Sequence, residues 1–144
     1  MNIIIGSDHA GFGLKEECRV FLEENTTHRI NDIGVYDRNS FDYPRIAHKV
    51  AGKVADREYD RGILICGTGI GMSIVANRYK SVRAALCHNI YTASMCRLHN
   101  DANILVMGDR VIGVGLALEV LDMFLKTEFE GGRHQNRLDM FENC

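Results

Sequence analysis

Five short apolar runs, each bounded by glycine or polar residues, alternate along this chain with segments of helical periodicity. A short apolar run before each amphipathic segment predicts a strand followed by a helix. Repeated strand–helix units with short connections favour a parallel sheet. Because each crossover is right-handed, its helix packs on one face or the other according to the direction in which the chain moves along the sheet. The sequence therefore predicts an α/β fold, namely a three-layer, Rossmann-like, doubly wound sandwich with a five-stranded parallel sheet.

The apolar runs and the periodic segments set approximate bounds for ten elements. Strands are expected over residues 3–6, 29–33, 62–66, 83–86 and 103–107, and helices over residues 11–24, 44–57, 71–78, 90–98 and 113–126. The last helix is expected to cover the sheet with one apolar stripe, formed by Val114, Ala117, Leu118, Leu121, Phe124 and Leu125. Met72 and Ile74 are expected in the core.

Composition bounds the class of protein. With 144 residues and 46% hydrophobic content, the chain is expected to form a single domain over residues 1–144. A net charge of -2 argues against a nucleic-acid partner. No apolar run approaches the length of a membrane span, and no basic segment precedes the first apolar run, so neither a membrane partner nor export is expected.

The cysteines indicate the cellular compartment. Their number is odd, they are scattered, and no two form a Cys-x-x-Cys pair. This pattern predicts reduced thiols and a cytoplasmic protein. Cys18, Cys87, Cys96 and Cys144 are expected to be structural, since a buried, inert thiol is the usual occupant of an apolar stretch.

The segment from Gly62 to Ser73 carries the strongest chemical signal. An apolar strand runs into Cys66 and then into a turn that contains Gly67, Gly69 and Gly71. Open α/β sheets bind ligands at the carboxyl ends of their strands. Alternate glycines let the backbone approach a ligand, and the dipole of the following helix favours a thiolate. The segment therefore predicts a reactive thiol beside an anion-binding turn.

Two other kinds of site are disfavoured by their spacing. A dinucleotide-binding turn needs a glycine where Met72 stands and an acidic residue where the fourth strand ends in Leu86-Cys87-His88. A zinc site at Cys96 and His99, with Cys87-His88 near in sequence, lacks three or four ligands at a recognisable spacing. Neither a nucleotide nor a metal is therefore expected.

Polar residues also flank other strands. Asp8 and His9 follow the first strand, and Arg110 follows the fifth. The segment His99-Asn100-Asp101 closes a helix before the last strand, and it is expected at the same edge of the sheet as Cys66. An isolated histidine is as often a hydrogen-bonded structural residue as a functional one, so these positions become informative through their neighbours.

The last fifteen residues, 130–144, form a polar tail. Arg133 and Arg137 stand four apart, a spacing that places both guanidinium groups on one face of a helix. Such a pair suits a phosphate group. From the spacing alone, a solvated surface helix remains the alternative.

Six ordered segments of this chain resemble the sugar-phosphate isomerase family that contains ribose-5-phosphate isomerase B and the subunits of galactose-6-phosphate isomerase. The matching segments are residues 6–11, 42–44, 62–71, 97–103, 108–110 and 130–137. One branch of that family lacks the thiol and has a glutamate base at the position of Met72 here. With Cys66 present and Met72 apolar, the chain resembles the thiol branch.

The resemblance implies an aldose–ketose isomerisation that interconverts ribose 5-phosphate and ribulose 5-phosphate in the pentose phosphate pathway. It also implies that no metal or other cofactor is needed, and that the chain forms a homodimer with active sites at the subunit interface. A tetramer built from such dimers is left open. The alternatives are an isomerase of a six-carbon sugar 6-phosphate such as allose or galactose 6-phosphate, a non-catalytic sugar-phosphate sensor, and a thiol-transfer protein.

The resemblance also assigns roles to residues. Cys66 is the base, Thr68 passes a proton between the two substrate oxygens, and His99 opens the sugar ring. Substrate-binding roles, which include backbone amides at the enediolate, a phosphate site and contacts to sugar hydroxyls, fall to Asp8, His9, Tyr43, Gly67, Gly69, Ile70, Gly71, Asn100, Arg110, Arg133 and Arg137. His99 and Asn100 are expected to come from the partner subunit.

Overall fold

The computed structural model of the protein describes residues 1–141. Its strands are β1 (Asn2–Ser7), β2 (Arg29–Asp32), β3 (Arg61–Cys66), β4 (Ala84–Leu86) and β5 (Ile104–Gly108). Its helices are α1 (Phe12–Asn25), α2 (Tyr43–Ala55), α3 (Ile70–Ala76), α4 (Ile90–Leu98), α5 (Val114–Lys126) and α6 (Arg133–Leu138). Every predicted strand and helix is confirmed to within two residues, and α6 forms the helix that the arginine spacing required.

All five strands are parallel, in the order β2-β1-β3-β5-β4. The chain moves outward from β1 to β2 and then crosses to the other side of β1 to form β3. The loops after β1 and β3 therefore diverge, and they leave a crevice at the carboxyl edge of the sheet, where ligands bind in this class of fold. The predicted doubly wound sandwich is confirmed.

Alternate residues of the central strands enter two separate apolar layers. Ile63 and Ile65 of β3 pack with α1, α4 and α5 on one face of the sheet. Leu64 and Cys66 pack with α2 and α3 on the other face. The even positions of β3 thus direct Cys66 toward the face that Met72 of α3 also covers.

Two of the predicted core positions are wrong. Ile74 is 54% exposed, because the inner face of the seven-residue α3 is taken by Met72 and Ala76, each two residues away around the helix. Val114, the first residue of α5, is 43% exposed, whereas Val120 is buried with Ala117, Leu121 and Phe124 of the stripe, and Leu118 and Leu125 are partly buried. Cys18, Cys87 and Cys96 are buried as predicted.

Two further predictions concern the ends of the chain and the membrane. The predicted tail at 130–144 is described only to residue 141, so its last three residues, including Cys144, lie outside the described part. Within residues 1–141, no helix combines the length and the apolar character needed to cross a membrane.

A fully buried lysine ties α1 to β2. The Lys15 ammonium group forms ion pairs with Asp32 and, at 2.6 Å, with Glu16. It also lies 5.5 Å from the centre of the Phe12 ring and 5.6 Å from that of Tyr36. Because Tyr36 lies within the connection from β2 to α2, this lysine also holds part of that connection in place.

The buried pair should contribute strongly to stability. Lys15→Ala is expected to lower the free energy of unfolding by about 3–5 kcal/mol, since it leaves the largely buried Asp32 carboxylate without its cation. Lys53→Ala is the matched control, because Lys53 pairs with Glu58 at the same 2.6 Å but on the surface. Urea unfolding followed by circular dichroism measures both. An equal loss in the two variants would contradict the importance of burial.

Candidate active site

The thiol lies under a tight turn at the end of β3. The Gly69 amide donates a hydrogen bond to the Cys66 sulfur at 3.1 Å, and Cys66 is 5% exposed. Gly69 has a φ of +79°, a conformation that glycine adopts readily and other residues rarely adopt. The turn therefore folds back over the sulfur, with one backbone donor aimed at it.

Neighbouring backbone and side chains approach this turn closely. A Cβ atom at Gly71 would lie 2.6 Å from the Tyr43 ring, and one at Gly108 would lie 2.6 Å from the backbone of Thr68. The Thr68 hydroxyl accepts a hydrogen bond from the Ile70 amide at 3.4 Å. Glycine at 71 and 108 thus lets Tyr43 and the end of β5 press against the turn.

Arg110 and the loop after β1 border the same turn. The Arg110 side chain is 3.5 Å from the position of a Cβ at Gly67, and the Arg110 amide donates to the Gly67 carbonyl at 3.0 Å. The carboxylate of the buried Asp8 accepts hydrogen bonds from the amides of Ala10 and Gly11, at 2.9 and 3.0 Å. Asp8 therefore shapes the loop that carries His9.

His9 is oriented by the connection from β2 to α2. The Phe41 amide donates to His9 Nδ1 at 3.1 Å. The same Nδ1 lies 3.4 Å from the Phe41 carbonyl oxygen, so the backbone at Phe41 fixes the position of the ring. Asp8, His9, Tyr43, Cys66, Gly67, Thr68, Gly69, Ile70, Gly71 and Arg110 thus all belong to the carboxyl edge of the sheet.

His88 and Asp109 also support this edge, although the sequence reasoning gave them no structural role. The Gly108 amide donates to His88 Nε2 at 3.0 Å, and burial lowers the pKa of His88, which favours the neutral, accepting ring. The Asp109 carboxylate accepts from the Leu14 amide at 3.3 Å, which joins α1 to the end of β5. Their positions, two residues after β4 and one residue after β5, were the available signal.

The remaining candidates lie at the opposite edge, and the predicted position of the segment 99–101 is wrong. Helix α4 runs back from the carboxyl edge, so His99 and Asn100 follow its end next to the beginnings of the strands. Two hydrogen bonds confirm this position: Arg83 Nε, next to β4, donates to the Asp101 carbonyl at 3.0 Å, and the Gly62 amide donates to the Asn103 carbonyl at 2.9 Å. Six residues of β3 separate the two edges, about 17 Å at about 3.3 Å per residue.

The tail joins His99 and Asn100 at this edge. The second cluster is the resulting group of His99, Asn100, Glu130, Arg133, His134 and Arg137. The Glu130 amide donates to the Leu98 carbonyl at 3.1 Å, and the rings of His99 and His134 stack with centroids 4.1 Å apart. Arg133 and Arg137 share helix α6 with His134, and both are exposed. The phosphate-binding arginines expected from the tail therefore lie with His99, whereas Arg110 lies with Cys66.

The second cluster contains a set of potential metal ligands. His99, Glu130 and His134 bring one ligand atom each to within 4.8 Å of one another. The two imidazole planes differ by only 9°, so the in-plane lone pairs of the rings run side by side instead of converging on one point. The arrangement is that of stacked rings, and metal binding there would require one ring to rotate.

The other cysteines have surroundings unlike those of Cys66. Cys87 and Cys96 place their sulfur atoms 3.8 Å apart within the buried layer under α4. Burial, with smaller contributions from Glu17 and Asp109, raises the pKa of Cys18 to about 12. Cys18 therefore remains a neutral thiol at any physiological pH.

A cavity of about 680 Å³ lies beside Asn100 and the connection from α3 to β4. It is lined by residues 77–85 and by Cys96, Asn100, Ala102, Leu138 and Phe141. Asn100 is the one candidate site residue among them. The cavity is thus separate from the thiol turn within one chain.

Known proteins resemble this chain over nearly its whole length. The family model described as Ribose/Galactose Isomerase matches residues 3–141. Ribose-5-phosphate isomerase B of Escherichia coli strain K12 is 46% identical over 137 residues, which is 95% of this chain and 91% of that protein.

Solved structures agree with the sequence comparison. Ribose-5-phosphate isomerase B of Clostridium thermocellum superposes with a TM-score of 0.97 at 50% identity, covering 99% of this chain and 96% of that one. The Mycoplasma genitalium enzyme of the same name, solved with bound ribulose 5-phosphate, gives 0.94 at 41% identity, covering 99% and 94%. By sequence and by structure, the chain belongs to the ribose/galactose isomerase family.

Proposed function

We propose that this protein interconverts ribose 5-phosphate and ribulose 5-phosphate through an enediolate, with Cys66 as the base. The observation that carries the proposal is the hydrogen bond from the Gly69 amide to the Cys66 sulfur at 3.1 Å, within a turn of closely packed glycines. The turn therefore holds a backbone donor against the sulfur that acts as the base in this proposal.

The proposed chemistry moves one proton from C2 to C1 and leaves the carbon skeleton intact. In the open-chain aldose, the Cys66 thiolate removes the proton on C2, and the electron pair passes to the carbonyl oxygen on C1. Backbone amides of residues 67–71 stabilise the resulting enediolate, and Thr68 transfers a proton between its two oxygens. Return of the proton from Cys66 to C1 completes the ketose.

The carboxyl edge of the sheet carries Cys66 and is called the thiol edge below. The groups at this edge suit one end of such a substrate. Arg110 contributes a positive charge beside Gly67, and the His9 ring is held on the neighbouring loop by the backbone at Phe41. We assign contacts with sugar hydroxyls to Asp8 and Tyr43. Among residues 1–141, the histidine that we assign to ring opening and the arginine pair of the tail lie away from this edge.

A second copy of the chain supplies the missing groups in our proposal. His99, Asn100, Arg133 and Arg137 lie at the far edge of the same sheet, too distant to act on a sugar held at Cys66. Exposed apolar side chains of Ile70, Ile74 and Leu86 flank the thiol turn and offer a surface for a partner. We therefore propose a homodimer with two shared active sites, and we place the enzyme in the pentose phosphate pathway of the cytoplasm.

The role of Cys66 can be tested by removing the sulfur. Cys66→Ala is expected to lower kcat for ribulose 5-phosphate formation by about 10²- to 10⁴-fold, because the base is lost. Cys18→Ala, which removes another buried thiol away from the turn, is the matched control and is expected to keep its activity. If Cys66→Ala retained more than a few per cent of the rate, the base would be another group.

Shared sites predict complementation between two defective variants. Cys66→Ala and the double variant Arg133→Ala/Arg137→Ala are each expected to be inactive or nearly so as homodimers. Refolding an equal mixture should give half of the dimers as heterodimers, each with one intact site, and therefore about a quarter of the wild-type activity. Sites built within a single chain would gain nothing from mixing.

The close approach of β5 to the turn predicts a third effect. Gly108→Ala must displace the Thr68 backbone, because the new methyl group would lie 2.6 Å from it, and the resulting shift is expected to lower kcat by about 10- to 100-fold. Gly113→Ala is the control, since nothing lies within 4 Å of a Cβ there. Steady-state kinetics on both folded variants checks this, and a fully active Gly108→Ala would show that Thr68 tolerates displacement.

A further inference from the structure

We propose that Glu130 and His134 are positioning residues for His99, which they hold in the orientation that ring opening requires. This inference rests on the proposed function, in which His99 opens the cyclic sugar. It adds two residues for which the sequence reasoning gave no individual role.

The three side chains form one compact group. The rings of His99 and His134 stack with centroids 4.1 Å apart and planes 9° apart. The Glu130 carboxylate faces the same edge of both rings, 3.9 Å from His99 Nε2 and 3.5 Å from His134 Nε2. His99 is therefore constrained on its face by a ring and at its Nε2 by a carboxylate.

The two histidines differ in their exposure to solvent. His134 is only 3% exposed, and its Nε2 has no hydrogen-bond partner within residues 1–141, whereas the His99 side chain is 40% exposed. A substrate can reach His99 but not His134. The buried ring therefore acts through its neighbour.

Backbone contacts hold the segment that carries Glu130 and His134. The Glu130 amide donates to the Leu98 carbonyl at 3.1 Å, which joins the tail to the last turn of α4 directly before His99. Gly131 and Gly132, with φ of +69° and +55°, reverse the chain, and the His134 amide donates to the Gly131 carbonyl at 3.0 Å. The tail thus carries Glu130 and His134 to His99 on a short, internally bonded turn.

The surroundings of His134 favour the neutral form of its ring. Burial lowers the pKa of His134, the nearby His99, Arg133 and Arg137 act in the same direction, and Glu130 opposes them. On the side of α4, Arg97 is paired with Asp101 at 2.8 Å. His134 therefore lies against His99 as a neutral, buried ring, with the Glu130 carboxylate at the edge of both rings.

Substrate chemistry separates ring opening from proton transfer at carbon. Ribose 5-phosphate closes into a furanose, but ribulose 5-phosphate cannot, because its O5 carries the phosphate. Solvent deuterium can therefore enter C1 of ribulose 5-phosphate through the enediolate without any ring step. Loss of His99 positioning should slow net isomerisation and spare this exchange.

The experiment measures both rates for one set of variants. His134→Ala and Glu130→Gln are expected to lower net isomerisation about tenfold or more, while C1 exchange of ribulose 5-phosphate in deuterated water, followed by NMR, stays within about twofold. His134→Phe keeps a flat ring and should recover most of the rate lost in His134→Ala. Asn136→Ala, an exposed change in the same helix, is the control.

Each other outcome is decisive. Unchanged net rates in His134→Ala and Glu130→Gln, a parallel loss of both rates, or a His134→Phe variant as slow as His134→Ala would overturn the positioning role. Cys66→Ala is expected to lose both rates. A wild-type protein that shows neither rate would instead refute the proposed function.

Discussion

The direction of the parallel strands governs the whole arrangement. Every residue that directly follows a strand reaches one edge of the sheet, and every residue that directly follows a crossover helix reaches the other. Cys66 follows β3, whereas His99 follows α4 and the tail follows α5. Because β3 spans about 17 Å between these edges, the fold itself prevents one chain from joining the two groups.

At the thiol edge, the requirement for close backbone approach explains the glycines. The absence of a Cβ at Gly71 leaves space for the Tyr43 ring, and the absence of one at Gly108 leaves space for the Thr68 backbone. Gly69 turns the chain so that its amide donates a hydrogen bond to the Cys66 sulfur. Each contact comes from a different strand or helix. The position of the sulfur is therefore set by the packing of α2, β3 and β5 together, and not by the turn alone.

The sequence predicted the strands and helices well because periodicity reflects which side of each element is buried. It predicted Ile74 and Val114 less well, because a short helix and a helix start expose apolar residues that periodicity assigns to the core. The position of His99 could have been derived by following chain direction through α4. The stacking of His99 on His134 could not, since it joins residues 35 positions apart whose contact depends on the path of the tail.

If the shared active site is as we propose, its two halves lie at opposite edges of one sheet, and this restricts the assemblies that can complete it. A two-fold axis that brings the thiol edge of one copy to the His99 edge of the other performs the same operation in reverse, so both sites are completed at once. A head-to-tail contact would also join unlike edges, but it would leave one half-site open at each end. The exposed apolar residues Ile70 and Leu86, on the same edge as Cys66, favour the closed arrangement, because only there does every copy bury them.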